Sequence, residues 1–224
     1  MDIPYIIVAG GKGLRMGANI PKQYIEIKGK PIIYYTISNL VKAGVNRFII
    51  VLDLRYQEYL MKFLENINVS IKYVSGGKER YESVLNGFRC INEEDEYVAI
   101  HDSVRPLVSK DMIDRLEDSM LTSNLSGIVP ILPIKDTVKL VKAGIVDKTF
   151  DRSDIRRVGT PQLVKVKDYL EAINNIEDKI KSVTDDASIL EMNGYIVGVV
   201  EGDEESFKIT DSMDLALFEF LLGR

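Results

Sequence analysis

The stretch YIIVAGGKGLRMG, residues 5–17, joins a short apolar run to a glycine-rich loop. Its first part, residues 5–9, has the β-branched and aromatic composition of a buried strand. Similar runs, each bounded by polar or glycine-containing turns, follow at 48–53, 71–74 and 97–101. Helical patterns lie between these runs at about 31–43, 54–67 and 80–90, and Pro31 opens the first at a predicted N1 position. The alternation predicts an α/β fold with a doubly wound, mostly parallel sheet.

The pattern changes in the second half of the chain. After a predicted helix near 110–121, residues 127–143 contain two strand-like runs, and the charged segment 144–161 indicates an arm or hairpin. The other predicted elements are helices near 164–176 and 185–193, a strand at 195–201 and a helix at 211–222. No repeat, low-complexity tract or linker is evident, so we expect a single domain over residues 1–224.

Composition argues against several classes of function. The chain has 29 Lys and Arg against 34 Asp and Glu, and its formal charge of −5 argues against a general nucleic-acid binder. Neither a signal peptide nor a run approaching the ~20 apolar residues of a membrane span is recognisable, so no membrane partner is expected. The single cysteine, Cys90, rules out an internal disulfide and favours a reducing compartment. A cytoplasmic location is therefore predicted.

The single histidine limits the chemistry further. Any Ser-His-Asp triad would have to use His101, and zinc sites built from His and Cys are excluded. Any metal is therefore expected to bind oxygen ligands. Because His101 is the last residue of a buried run, we interpret it as a hydrogen-bonded histidine of the core.

The glycine-rich loop matches neither of the common nucleotide-binding fingerprints. Counted from Gly11, the last glycine of G-x-G-x-x-G falls on Met16, and no G-K-[ST] completes a Walker A loop. Glycines alone are equally compatible with a flexible turn into a helix. Two cations beside them, Arg15 and Lys22, favour a triphosphate site, because phosphates need positive charge next to a glycine cradle. Ligands of open α/β sheets bind outside the carboxyl ends of the strands, where this loop begins.

Two other segments contain candidate ligands. Asp102 follows a buried strand and is a candidate magnesium ligand, although an isolated Asp there is commonly a turn cap or a partner for a residue such as Arg105. The pair Gly76-Gly77 precedes a predicted helix, where it either supplies N–H donors to an anion or base, or simply belongs to the helix cap.

Three further segments are weak signals on their own. Thr184 is predicted to cap a helix with Ala187 at N3. Residues 207–210 are expected to form a strand end with a snorkelling lysine. Asp151 and Arg152 resemble an ordinary solvated surface pair.

Nine motifs between residues 8 and 210 give the sequence a recognisable order. They are VAGGKGLRM, PKQY, GGKERYESVLNGF, HDSVRP, KDTVK, FDR, TPQ, VTDDAS and FKIT. In this order they resemble the motif series of methylerythritol-phosphate cytidylyltransferases. The resemblance implies a Rossmann-like nucleotidyltransferase fold with an extended β-arm, here about 130–155. It also implies a homodimer in which the arm clasps the second subunit and lends it Arg152.

The resemblance also implies a reaction and a role for each candidate residue. A phosphate oxygen of a polyol phosphate would attack the α-phosphorus of CTP in line and release pyrophosphate, with Mg2+ as cofactor. The acceptor needs no general base, because a phosphate monoester has a second pKa of about 6. The implied catalytic residues are Arg15, Lys22 and Lys208. The implied nucleotide-binding residues are Ala9, Gly10, Gly11, Gly13, Gly77, Arg80, Ser83 and Asp102, of which Asp102 also lies near the metal, and Arg105 supports its loop. The implied residues for the acceptor phosphate are Thr137, Arg152, Thr184 and Lys208.

Some positions depart from the methylerythritol pattern and leave alternatives open. Gly11 and the pair Ser103-Val104 lean toward ribitol-phosphate cytidylyltransferases, whereas SVLNGF and TDDAS follow the methylerythritol branch. The segment 156–159 lacks the aromatic residue that many members have there. The preferred acceptor is 2-C-methyl-D-erythritol 4-phosphate, as in non-mevalonate isoprenoid synthesis, and D-ribitol 5-phosphate is the alternative. A non-catalytic nucleotide-binding module on the same fold is a second alternative.

Overall fold

The fold is built around one eight-stranded sheet. It is given by a computed structural model that describes residues 2–11, 20–176 and 183–223. The first half contains β1 (Tyr5–Ala9), β2 (Glu26–Ile27), β3 (Lys30–Pro31), α1 (Ile32–Lys42), β4 (Arg47–Leu52), α2 (Gln57–Leu64), β5 (Ser70–Ser75), α3 (Arg80–Phe88) and β6 (Tyr97–Asp102). The second half contains α4 (Lys110–Thr122), β7 (Gly127–Pro133), β8 (Lys139–Lys142), β9 (Ile145–Thr149), β10 (Arg156–Val158), β11 (Gln162–Lys165), α5 (Val166–Asn174), α6 (Asp186–Met192), β12 (Val197–Glu201) and α7 (Ser212–Leu221).

The strand order of the main sheet is β10-β7-β11-β6-β1-β4-β5, and β12 also pairs with β7. The strands of the first half, β6, β1, β4 and β5, are parallel to one another, and β12 is parallel to β7. Only β10 and β11 run antiparallel. The predicted α/β fold with a mostly parallel sheet is therefore confirmed.

Side chains of β1 alternate between two hydrophobic layers, as the period of a strand requires. Tyr5 and Ile7 pack with helices α1, α2 and α4 on one face of the sheet, and Ile6 packs with α3, α5 and α6 on the other. The approach of α3 is close, since a Cβ on Gly87 would lie 2.7 Å from Cγ2 of Ile6. This packing fixes α3, and with it the start of the helix, relative to the end of β1.

The first residue or cap of two helices differs from the one predicted for it. Pro31 is the N-cap of α1 and not its first residue, because its extended backbone, with ψ of 151°, still pairs with β2. Asp185, not Thr184, caps α6, and its carboxylate accepts the N–H of Ser188 at 3.1 Å. Aspartate at this place can form a reciprocal capping box with Ser188, which Thr184 with Ala187 at N3 could not.

Strand predictions failed where the apolar pattern is weak. β10 has two arginines and is fully exposed, so its backbone pairing with β7 leaves no hydrophobic signal. β11 has only four residues and runs directly into α5, whose helical pattern hides it. Residues 207–210 belong to no strand; the N–H of Ile209 donates to the carbonyl of Val104 in a single 2.9 Å bond.

A hairpin formed by β8 and β9 lies within the segment expected to form an arm. The two strands pair antiparallel around a turn at Ala143-Gly144, both of which have positive φ. Every residue of both strands is exposed, including the apolar Leu140, Val141, Ile145 and Val146. Among the described helices, none is long and apolar enough to span a membrane.

Candidate active site

The carboxyl ends of β1 and β6 open into a cleft of about 550 Å³. Such a position is the usual ligand site of an open α/β sheet. The lining combines two glycine-containing loops with charged side chains from four segments of the chain. The lining residues are Val8, Gly10, Gly11, Lys22, Gln23, Gly77, Lys78, Glu79, Arg80, Ser83, Asp102, Ser103, Val104, Lys208 and Thr210. Most of the predicted nucleotide-binding residues thus lie together; Gly13 and Arg15 fall outside the described residues.

The loop after β1 lies against the loop after β5. A Cβ on Gly10 would be 3.2 Å from Oγ of Ser83, and a Cβ on Gly76 would be 3.3 Å from Cα of Gly10. The absence of a side chain thus lets the two loops approach this closely, because a Cβ at either glycine would press on the facing atoms. Ala9, which was also predicted to bind the nucleotide, is buried and does not line the cleft.

The N–H groups before α3 already have partners within the protein. The N–H of Gly77 donates to Oγ of Ser83 at 3.0 Å, and those of Lys78 and Glu79 donate to the Glu82 carboxylate at 2.6 and 3.1 Å. Glu79 and Glu82 together form a capping box. This arrangement favours the helix-cap interpretation of the glycine pair, and the N–H groups of residues 77–79 are not left for an anion.

Asp102 organises the charges of the cleft. Its buried carboxylate lies 2.9 Å from Nζ of Lys208, 3.4 Å from Nε of Arg105 and 3.9 Å from Nη2 of Arg80. Burial raises the pKa of this carboxyl, but the three cations outweigh burial and hold the pKa well below its ordinary value. Asp102 is therefore an anion that gathers three cationic groups at one point.

The single histidine of the chain, His101, stabilises the loop that follows Asp102. Nε2 of His101 lies 3.1 Å from the Arg105 carbonyl, which can only accept, so this nitrogen carries the proton. Nδ1 then accepts from the hydroxyl of Thr160 at 2.9 Å, and the same hydroxyl oxygen accepts the N–H of Asp102 at 3.1 Å. Burial lowers the pKa of His101 to about 4, so the ring is neutral near pH 7. The interpretation of His101 as a hydrogen-bonded core histidine is thus correct.

A second cavity of about 440 Å³ adjoins the cleft and shares Arg80, Asp102 and Lys208 with it. Thr184 lines this cavity, next to Asp185 and Thr160. The site thus has two compartments that meet at the Asp102 cluster. A third cavity of about 280 Å³ is also lined by Lys208 and shares Arg105 with the second.

A buried network connects α6 to these compartments. Nη2 of Arg80 donates to Oδ2 of Asp186 at 2.6 Å, and the hydroxyl of Tyr169 donates to Oδ1 at 3.1 Å. Gln162 donates to the Asp185 carboxylate at 2.8 Å and accepts the N–H of Ala187, the second residue of α6, at 2.9 Å. These bonds fix the start of α6 beside Thr184.

The side chain of Lys22 bonds to the backbone of the segment that contains Lys208. Nζ of Lys22 donates to the carbonyl of Ile209 at 2.8 Å, one residue after Lys208. Ile209 is itself buried in a small core with Phe218 of α7. The two predicted catalytic lysines therefore border the same cleft from opposite segments.

Two predicted acceptor-binding residues do not join the site within one chain. Thr137 and Arg152 are exposed and line none of the three cavities described above. Nη1 of Arg152 instead donates to the carbonyl of Lys135 at 2.7 Å.

The surroundings of Asp102 do not fit a magnesium ion held by the protein. Mg2+ requires several oxygen ligands in near-octahedral geometry. Within the described part of the chain, no group of three or more His, Cys, Asp or Glu side chains converges on one point. The Asp102 carboxylate is already surrounded by three cationic groups, which would repel a dication. The structure gives no support to the predicted role of Asp102 as a metal ligand.

Several buried polar residues of the site escaped the sequence interpretation. Gln23, Gln162 and Asp186 are each at most 3% exposed, yet they occur in short segments without strong apolar periodicity. The motif series contains all three, in PKQY, TPQ and VTDDAS. The only available signal was thus their presence in motifs, and their partners depend on contacts distant in sequence.

Known proteins share this architecture and much of the sequence. The family model described as 2-C-methyl-D-erythritol 4-phosphate cytidylyltransferase matches residues 3–224. An enzyme of that name from Alkaliphilus oremlandii (strain OhILAs) is 37% identical over 223 residues, covering 97% of this chain and 93% of the relative. One from Vibrio atlanticus (strain LGP32) is 35% identical over 221 residues, covering 98% and 94%.

Solved structures agree with the sequence relatives. The 4-diphosphocytidyl-2C-methyl-D-erythritol synthase of Anaerococcus prevotii DSM 20548 superimposes with a TM-score of 0.86 at 26% identity, covering 99% of this chain and 98% of that one. The 2-C-methyl-D-erythritol 4-phosphate cytidylyltransferase of Francisella tularensis gives 0.82 at 29% identity, covering 97% and 99%. On sequence and fold together, the chain belongs to the 2-C-methyl-D-erythritol 4-phosphate cytidylyltransferase family.

Proposed function

We propose that this enzyme transfers a cytidylyl group from CTP to 2-C-methyl-D-erythritol 4-phosphate, forming 4-diphosphocytidyl-2-C-methyl-D-erythritol and pyrophosphate. The observation that carries the proposal is the cluster of Arg80, Arg105 and Lys208 on Asp102, placed where two cavities meet. A transfer between two anionic substrates needs positive charge at the point where they meet. A non-catalytic nucleotide module would not need the second cavity.

The protein contributes positioning and charge to this reaction. The acceptor phosphate is largely ionised near neutral pH, so it can attack the α-phosphorus without a general base. His101 does not act as a base, because it is fully buried and both ring nitrogens are already hydrogen-bonded. Lys22 and Lys208 reduce the repulsion between the two anions, and Arg15 is assigned the same role on the resemblance of its motif. Holding the reactants in line accounts for the remaining catalysis.

Each cavity receives one substrate in this proposal. CTP occupies the larger cleft, beside the wall formed by Gly10, Gly11 and Ser83. The acceptor phosphate occupies the adjoining cavity, near Thr184. We assign Mg2+ to the substrate, as the MgCTP complex, because the residues around Asp102 do not provide a cage for it.

The departures toward the ribitol branch lie on the nucleotide side. Gly11, Ser103 and Val104 all line the cleft assigned to CTP, and none of them lines the cavity assigned to the acceptor. They are therefore poorly placed to select the acceptor.

The direct test is pyrophosphate release with CTP and Mg2+, comparing 2-C-methyl-D-erythritol 4-phosphate with D-ribitol 5-phosphate. We expect kcat/KM to be at least about 100-fold higher for the first, since loss of matched polar contacts costs a few kcal/mol. Preference for ribitol 5-phosphate would move the enzyme to polyol-polymer synthesis. Tight CTP binding without turnover of either acceptor would favour the non-catalytic module.

We also propose that the enzyme is a homodimer in the cytoplasm. The exposed apolar side chains of the β8–β9 hairpin support an intersubunit contact, because isolated two-stranded hairpins are only marginally stable in water. In the dimer, the arm of residues 130–155 brings Arg152 and Thr137 to the acceptor phosphate of the partner subunit. The cytoplasmic location is supported by the lone Cys90 alone.

A further inference from the structure

Gln23 is a buried amide residue to which the proposed reaction assigns no role. Its side chain is only 3% exposed, although amide side chains mostly lie at protein surfaces. Nε2 donates to the carbonyl of Ala9 at 2.6 Å and to the carbonyl of Gly11 at 3.0 Å. Because both acceptors are carbonyl oxygens, only the NH2 end of the amide can face them, and both of its hydrogens are used.

The two carbonyls lie on either side of Gly10 in the chain. Gly10 is the residue that touches the second glycine loop, at Gly76 and Ser83. By bonding to the carbonyls of the residues before and after Gly10, one side chain sets the direction in which the backbone leaves β1. It thereby holds the first loop against the second and forms one wall of the CTP cleft.

Gln23 also belongs to the same short turn as Lys22. Residues Lys22–Tyr24 form a 3₁₀ turn, and Tyr24 is buried and stacks on Tyr56 with ring centroids 4.2 Å apart. The turn is thus anchored by packing, independently of the cleft. A fixed anchor allows the Gln23 amide to act as a clamp on a loop that is rich in glycine and therefore costly to order.

We propose that Gln23 is a positioning residue for CTP: its two hydrogen bonds hold Ala9–Gly11 in the conformation that binds the nucleotide. The side chain acts through the loop backbone and not by touching the reacting atoms. The identity of the nucleotide rests on the proposed function, whereas the clamp rests on the two hydrogen bonds.

The test replaces Gln23 with Met, which has a similar length but no donors, and measures CTP affinity by calorimetry with Mg2+. We expect Kd for CTP to rise roughly 10- to 100-fold, corresponding to the net loss of two hydrogen bonds. At saturating CTP, kcat is expected to stay within about threefold of wild type, and KM for the acceptor to stay unchanged. Gln57→Met, on α2 and outside the site, is the matched control and should leave every value unchanged.

A second variant guards against misfolding. Gln23→Asn keeps the amide but is shorter by one methylene, so it cannot reach both carbonyls; it should weaken CTP binding less than Met does. All measurements are made below the melting temperature of each variant, checked by circular dichroism. Unchanged CTP affinity in Gln23→Met, or equal losses for both substrates, would overturn the inference. Failure of the wild type to bind CTP would instead overturn the proposed function.

Discussion

At the scale of single residues, His101 shows how one buried side chain can make stability depend on pH. Its pKa is lowered by burial from 6.5 to about 4, so the unfolded chain binds a proton more readily than the folded one below pH 6.5. Stability from the neutral ring is therefore complete above pH 6.5 and is lost as the pH falls toward 4. The lowered carboxyl pKa values of the site, including that of Asp102, act only below about pH 4.

We expect the free energy of unfolding to fall by about 2 kcal/mol between pH 7.5 and pH 5. Because the chain has one histidine, this window belongs to His101 alone. Urea denaturation across the window checks the prediction, and His101→Gln, which keeps a donor toward Arg105, should abolish the slope. A slope that persists in this variant would contradict the assignment.

The histidine and the glutamine of the site differ in how far the sequence could predict them. His101 ends an apolar run on a predicted strand, so its burial followed from the pattern of its neighbours. Gln23 stands between a lysine and a tyrosine in a turn, and its two acceptors become neighbours only when β1 and the turn have folded together. Periodicity records which face of an element is buried, but it does not record which backbone atoms that face will meet.

At the scale of elements, α6 depends on its surroundings more than on its own sequence. It has seven residues, far fewer than an isolated helix needs in water. Its position is set by the bond from Gln162 to Asp185 and by the Arg80–Asp186 pair. The cavity that we propose for the acceptor is therefore lined by a helix that tertiary contacts hold in place.

Asp186→Asn tests this dependence. Removing the charge leaves Arg80 without its nearest counter-ion, and we expect a loss of about 2 kcal/mol or more in unfolding free energy, measured by chemical denaturation. Tyr169→Phe, which removes one hydrogen bond to the same carboxylate, should cost about 1 kcal/mol and serves for comparison. Equal small losses in both variants would show that the ion pair contributes little.

Elements with a strong pattern were predicted well, and those without one were not. The strands β1, β4 and β6 are largely apolar because helices cover both faces of this part of the sheet. β5 lies at the edge of the sheet and is only partly buried, and its prediction rested on the shorter run at 71–74. β10 and β11 have backbone pairing but no comparable apolar signal, since pairing depends on partners that are distant in the sequence. The same difference applies to the site. Its glycine-containing loops follow strands that could be predicted, whereas the hydrogen-bonding residues Gln23 and Gln162 come from segments with weak patterns.

At the scale of the whole molecule, the prediction concerns the dimer. Arg152→Ala should raise KM for the acceptor about tenfold or more and leave CTP affinity unchanged, because a lost charged contact to phosphate costs 1.5–3 kcal/mol as an order of magnitude. Arg89→Ala, an exposed arginine that follows α3, is the matched control. Weakened CTP binding in Arg152→Ala would contradict the assignment of this residue to the acceptor phosphate.

Mixing two impaired variants, assayed with the acceptor well below its wild-type KM, tests whether Arg152 acts across subunits. If it does, unfolding and refolding Arg152→Ala together with Lys208→Ala should restore about one quarter of wild-type activity, since half of the dimers are mixed and each has one intact site. If Arg152 acts within its own chain, the mixture gives only the mean of the two variants. Sedimentation as a monomer at micromolar concentration would also exclude the lent arginine.

The three cavities that meet at Lys208 have a consequence for inhibitor chemistry. A fragment bound in any one of them lies near the ammonium group of Lys208. Fragments from two cavities can therefore be joined by a linker that passes this side chain. An acidic group at the junction would exchange one carboxylate, that of Asp102, for another as the partner of Lys208. Compounds assembled in this way would occupy the donor and acceptor compartments at once and resemble the joined product more than either substrate.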